Sequence, residues 1–330
     1  MQILCGDIGG TNSRLLVAEV NGKVINTLFE KNYASHAFGS FENVLETFLK
    51  DVKTKPEVAC FAIAGPVKCG EADITNLSWF LSETRLQKKF ALSQVSLIND
   101  FSAIGYGVTV LDESGYRTIQ KGNLENEAPR IILGAGTGLG VAQSINHHGQ
   151  WRVLPSQGGH MAFSPANSIQ RDLLQWMSNQ QDYVSNEDLL SGKGLANLYR
   201  YYAYRSNRSD SEQVKQVLAF DDPPAAISHN AVNGKDEIAT QALNQFVEIY
   251  GALAGDLALL TLAYGGVFLA GGIAPKIANQ LDGDAFLQPF YKKGPMSPLM
   301  PQFPVHIIMN ERVGLIGAAF YAWQSVQSSQ

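Results

Sequence analysis

Two glycine-rich turns each follow a short apolar run, GDIGGTN at 6–12 and GAGTGLG at 134–140. Glycines let successive backbone amides converge on an anion, and Thr11 and Thr137 each add a hydroxyl donor. A dinucleotide turn would run from a strand into a helix, whereas GAGTGLG is followed by the alternating VAQSI of a second strand. A Walker loop needs Lys-Ser/Thr after its last glycine, and SGKGL at 191–195 lacks it. Two hairpin tips built to grip phosphate remain, with Gly9, Gly10, Thr11 and Asn12 on one and Gly136, Thr137 and Gly138 on the other. Asp7 stands beside the first, and a carboxylate repels phosphate unless a cation lies between them. That predicts Mg²⁺ held mostly through water by Asp7 and a nucleotide's phosphates.

A third candidate is Asp100, which closes the apolar run VSLIND just before FSAIGYGV. A carboxylate at a strand end can accept a hydroxyl proton, or it can cap the following helix. Residue type alone leaves both open. His160 follows Gly158-Gly159, and Glu187 follows Asn186 at an apparent helix start, where an acid also suits the helix dipole.

These residues need a frame. Residues 2–33 read as three strands, with Asn21-Gly22 marking a hairpin. SFENVLETFLKDV spaces its apolar residues as a helix with Ser40 as cap. EVACFAIAG and QVSLIND are buried strands. The second half repeats the device, strand, glycine-threonine turn, strand, hairpin and third strand, so the pattern predicts a duplicated α/β fold. Helices are expected at 169–177, 195–204 and 238–263, then strands in GGVFLAGG and PVHIIMN and a closing helix from Val313. The polar run 206–213 and the loop 221–233 read as surface insertions within the second half.

The 330 residues are 45% hydrophobic and carry a net charge of −5, which argues against nucleic acid and anionic membranes as partners. Cys5, Cys60 and Cys69 lie in or beside apolar runs and read as reduced core thiols. The start MQILCGDIGG is no signal peptide, and no apolar stretch is long enough to span a bilayer, so a cytoplasmic chain is expected.

GDIGGTN, GAGTGLG and LAGGI (269–273) resemble the two phosphate motifs and the adenosine motif of the sugar-kinase, Hsp70 and actin superfamily. LINDF, GGHMAF and LLSGKGLANLY are similar, more narrowly, to the bacterial glucokinase family, in order from residue 3 to about 320. The resemblance implies a two-lobed actin-like (ribonuclease H-like) α/β fold with mixed sheets flanked by helices. Its small lobe would span 1–110 with 312–330, and its large lobe 111–311. It implies ATP with Mg²⁺, Gly271 and Gly272 near the adenosine, Asp100 as the base that primes a sugar hydroxyl, and Asn99, His160 and Glu187 as sugar partners.

The family usually has Glu where LPSQGGH carries Gln157, which weakens or alters sugar binding and puts strict glucose selectivity in question. TNLSW at 75–79 resembles a small-lobe segment near the ligands. Family members commonly form homodimers. The expected reaction is ATP-dependent phosphorylation of D-glucose to glucose 6-phosphate. Another hexose or an amino sugar as acceptor, a catalytically silent sugar sensor, and an actin- or Hsp70-like ATPase stand as alternatives.

Overall fold

The computed structural model describes residues 1–328. In the first half, β1 (Gln2–Ile8), β2 (Asn12–Asn21) and β3 (Val24–Ala34) form successive hairpins. There follow α1 (Phe41–Asp51), β4 (Val58–Ile63), β5 (Glu71–Ile74), β6 (Trp79–Ser82), α2 (Glu83–Phe90), β7 (Gln94–Asn99) and α3 (Asp100–Val108). The chain continues through β8 (Tyr116–Gln120), β9 (Arg130–Ala135), β10 (Leu139–His147) and β11 (Gln150–Pro155). Helices then dominate: α4 (Ser168–Ser178), α5 (Gly192–Arg205), α6 (Glu212–Leu218), α7 (Pro223–Val232) and α8 (Glu237–Thr261). The last elements are β12 (Val267–Ala270), α9 (Ala278–Leu281), α10 (Asp284–Tyr291), β13 (Val305–Ile308) and α11 (Val313–Gln327).

The chain divides into two compact units: 1–116 with 144–155 and 310–330, and 117–143 with 156–309. Residues 144–155, expected in the large lobe, group instead with the first unit. The break falls inside β10, which is one unbroken strand by pattern, so no composition change marks it.

The first unit carries a five-stranded sheet in the order β3-β2-β1-β4-β7, antiparallel on the β3 side and parallel from β1 to β7. β4 is buried along its whole length, as a central parallel strand must be. Phe41, Val44, Leu45 and Phe48 of α1 fill the core over one sheet face, and Ser40 caps that helix by accepting from Asn43 N. α3 and α11 pack closely: Gly107 faces the Val313 carbonyl and Gly317 the Ala103 carbonyl, with no room for a Cβ.

The other sheet runs in the order β11-β10-β9-β12-β13-β8, with β9, β12 and β13, all of the second unit, parallel. Apart from β8 the two orders share one plan, so the repeat seen in the sequence is a repeat of topology. The 25-residue α8 is capped by Asp236, and its Tyr250 hydroxyl donates to the Leu133 carbonyl of β9 at 2.9 Å.

Two expectations need correcting. Residues 223–232 form a helix, not a loop: Asp222 accepts from Ala225 N and Pro223-Pro224 occupy the first turn, where prolines are tolerated. Cys69 is exposed rather than core, because it sits at a turn with φ 51° before β5, whereas Cys5 and Cys60 are buried. Among the described residues, no helix is long and apolar enough to cross a membrane.

Candidate active site

In the first unit, register places the candidate residues on one sheet edge. Ile8, Ile63 and Asn99 are neighbours across β1, β4 and β7, all parallel, so the Gly9-Gly10 turn and the Asn99-Asp100 junction leave from the same strand ends. Ligands of open α/β sheets bind at the carboxyl ends of parallel strands. Gly9 N donates to the Asn12 carbonyl at 2.9 Å, which closes the turn. That amide is therefore withdrawn from any nest, and the donors left for an anion are those that follow it. Ser35 braces the turn from behind: its hydroxyl donates to the Gly9 carbonyl (2.8 Å) and its amide to the Thr11 carbonyl (2.9 Å). No local pattern marks this serine, because its partners lie more than twenty residues away. Asn76 of the TNLSW segment lies against Gly10. Trp79 is buried core against Phe41, and the Thr75 side chain lies outside the described residues.

The start of α3 is capped chiefly by the residue before Asp100. Asn99 is the cap of α3, its Oδ1 accepting from Phe101 N (3.0 Å) and Ser102 N (3.2 Å). The Asn99 amide donates to the Gly65 carbonyl (3.1 Å) and to Asp100 Oδ1 (2.9 Å). Asn99 thus holds α3 and Asp100 with both ends of its side chain. Asp100 Oδ1 also accepts from Phe101 N at 2.8 Å. Burial pushes the Asp100 carboxyl up to about 6, the Phe101 amide opposes, and the charge of Asp7 adds to the rise. Asp7 is raised as well by the protein around it, with Arg14, its β2 register partner, opposing.

The second unit holds the other set. β9 and β12 are parallel, with Gly134 beside Ala270, so the Gly136–Gly138 turn and Gly271-Gly272 also share a sheet edge. Gly271 has φ 81°, and a Cβ there would strike the Ala135 carbonyl, so only glycine fits. Gly136 N donates to the Gly138 carbonyl at 2.8 Å, again closing the turn internally. Gly136, Thr137 and Gly272 line one cavity of about 430 Å³ together with Lys193, Lys276 and Ser228. That volume is in the range that holds a nucleoside-sized ligand. Lys193 lies within SGKGL, and no local pattern marks Lys276. A larger groove of about 910 Å³ runs along α8 and α10 and includes none of the candidate residues.

His160 and Glu187 meet. Residues 158–162 are zipped to 184–187: Asn186 N donates to the Met161 carbonyl and Glu187 N to the Gly159 carbonyl, both at 2.9 Å. This places Glu187 Oε1 4.0 Å from His160 Nε2. Glu187 lies in a tight turn and not at a helix start, since α5 begins only at Gly192 with Ser191 as its cap. Gln157 is exposed just before the Gly158–His160 turn, and its carbonyl accepts from His160 N.

Repeated mixed sheets flanked by helices, with glycine turns leaving their strand ends, make this an α/β protein of the actin-like ATPase fold. The comparisons make it narrower. The sequence profile of the family described as Glucokinase matches residues 4–325, and the chain belongs to that family. It is 42% identical to a glucokinase of Trichormus variabilis over 97% of this chain and 98% of that one. Identity to the glucokinase of Colwellia psychrerythraea is 36% over 96% and 95%. The crystal structure of a glucokinase from an Antarctic psychrotroph superposes with a TM-score of 0.88 at 33% identity, covering 98% of both chains.

Proposed function

We propose that Asp100 is the general base through which this glucokinase-family kinase moves the γ-phosphoryl group of ATP to glucose. The glucose 6-hydroxyl oxygen bonds to the γ-phosphorus, and the bond from that phosphorus to the β–γ bridging oxygen breaks, releasing ADP. The hydroxyl proton passes to Asp100. The observation that carries this is the state of that carboxylate. One oxygen is fixed by Phe101 N and Asn99, and its pKa near 6 leaves it ionised yet basic at neutral pH.

Asn99 serves as the positioning residue for Asp100, in addition to any sugar contact. Gln157, His160 and Glu187 are assigned to sugar hydroxyls. Gly10, Thr11, Asn12, Thr137 and Gly138 are assigned to phosphate, and Gly271 and Gly272 to adenosine. Lys193 and Lys276 supply the positive charge that a chain of net charge −5 lacks overall.

Magnesium fits the residues present. The charge of Asp7 bears on Asp100, and a cation that Asp7 would hold together with the nucleotide's phosphates would relieve that repulsion. When bound, it neutralises phosphate oxygens. We assign the protein to the cytoplasm and, on the family resemblance in its sequence, to a homodimer.

Release of ADP from MgATP, measured with a panel of hexoses and amino sugars beside direct sugar binding, tests the reading. Glucose-dependent turnover is expected. Turnover preferring another sugar would move the acceptor, and sugar binding without turnover would make the chain a silent sensor.

A further inference from the structure

We infer that Glu187 is a positioning residue for nucleotide as well as a sugar partner: one carboxylate oxygen holds the second glycine turn in shape while the other faces His160. This rests on the reading of that turn as a phosphate loop. Leu139 N, the first amide of β10, donates to Glu187 Oε2 at 2.8 Å. The carboxylate sits against Gly138, where an added Cβ would come within 2.6 Å of Oε2. The segment that carries Glu187 then grips the turn a second time, because Gly192 N donates to the Gly136 carbonyl at 2.8 Å. Between these points the Ser191 hydroxyl donates to the Glu187 carbonyl at 2.8 Å, so 187–192 forms a short brace spanning the turn from Gly136 to Leu139.

Two consequences follow. The Leu139 amide belongs to Glu187 and not to phosphate, so removing the carboxylate leaves a donor unpaired and the turn unpinned. Any sugar hydroxyl that draws on Glu187 or His160 also acts on the group that shapes the phosphate turn. Sugar and nucleotide affinities are therefore coupled, each changing the other by the same factor.

Titration calorimetry with MgADP, in the absence of sugar, reads the nucleotide side alone. Glu187→Ala is expected to weaken MgADP binding about tenfold. Glu187→Gln keeps an oxygen that accepts from Leu139 N and stays within about twofold of the parent. His160→Ala raises the sugar KM and leaves MgADP affinity where it was. Gly138→Ala offers a second route, because its methyl group displaces the carboxylate. It should reproduce the loss in the parent and add little on top of Glu187→Ala.

Undiminished MgADP affinity in Glu187→Ala, or fully additive losses in the double variant, overturns the inference and leaves the proposed reaction standing. A parent chain that binds MgADP with this pattern of variants but phosphorylates no hexose overturns the reaction and leaves the inference standing.

Discussion

At the scale of single residues, the proposed chemistry rests on the Asp100 carboxylate. Asp100 is pushed up to about 6, so kcat/KM should fall about tenfold per pH unit below that value and level off above it. A profile flat down to pH 4.5 would remove Asp100 as the base. The same shift has a consequence for stability. The native state disfavours the ionised carboxylate, a cost present above pH 6 that vanishes as pH falls towards the ordinary value of 3.8. Asp100→Asn should therefore melt higher than the parent at pH 8, with the gap closing near pH 4. A constant gap across that range would contradict the assignment.

Gln157 is the other informative residue. A hydrogen bond to a charged acceptor exceeds a neutral one by about 1 kcal/mol, so Gln157→Glu should lower the sugar KM roughly fivefold. An unchanged or higher KM goes against a sugar contact at this position.

At the scale of elements, backbone turns and strand ends bring the residues together. Gly271→Ala should cost about 1–3 kcal/mol of stability, because the position has φ 81° and faces the Ala135 carbonyl. It should also weaken nucleotide binding, as that carbonyl accepts from Ile273 N in the turn beside the cavity. Denaturant unfolding and ATP KM check both.

Much of this was legible in sequence. Apolar runs broken by glycine marked β1, β2, β9 and β10, and the β7–α3 junction was readable from VSLINDF. What escaped depends on partners that no local pattern names. Gly9 and Gly136 carry the composition of anion donors, yet each spends its amide closing its own turn. Asn99 has the type of a sugar ligand and acts as the cap of α3. The cue for α7 was present in Asp222-Pro223-Pro224, which reads equally as a loop until the helix behind it is seen. Glu187 looked like the start of a helix, because the single turn 186–190 uses helix-like bonds and then stops.

At the scale of the whole molecule, one topological plan is used twice, and the first unit is assembled from three separate stretches of chain. Its last stretch supplies α11, whose Gly317 seats against Ala103 of α3, the helix that begins with Asp100. A chain ended before Val313 should thus lose the support of α3 and accumulate as unfolded or insoluble protein. A soluble, cooperatively melting product would show that α11 is dispensable. The unit borders were only partly readable, since residues 144–155 look like a simple continuation of β10 in pattern and join the first unit only through tertiary contacts. Trp151 and Gln324, paired through two hydrogen bonds of 3.2 and 2.8 Å, are one such contact.

The most direct test of the whole account is a single-turnover measurement of glucose phosphorylation by the Asp100→Asn chain, run beside its glucose affinity. The substitution keeps an oxygen for Phe101 N but can no longer take a proton. The rate should fall by about 10²–10⁴ while glucose still binds. A rate within a few fold of the parent would contradict Asp100 as the base and, with it, the mechanism built on this site.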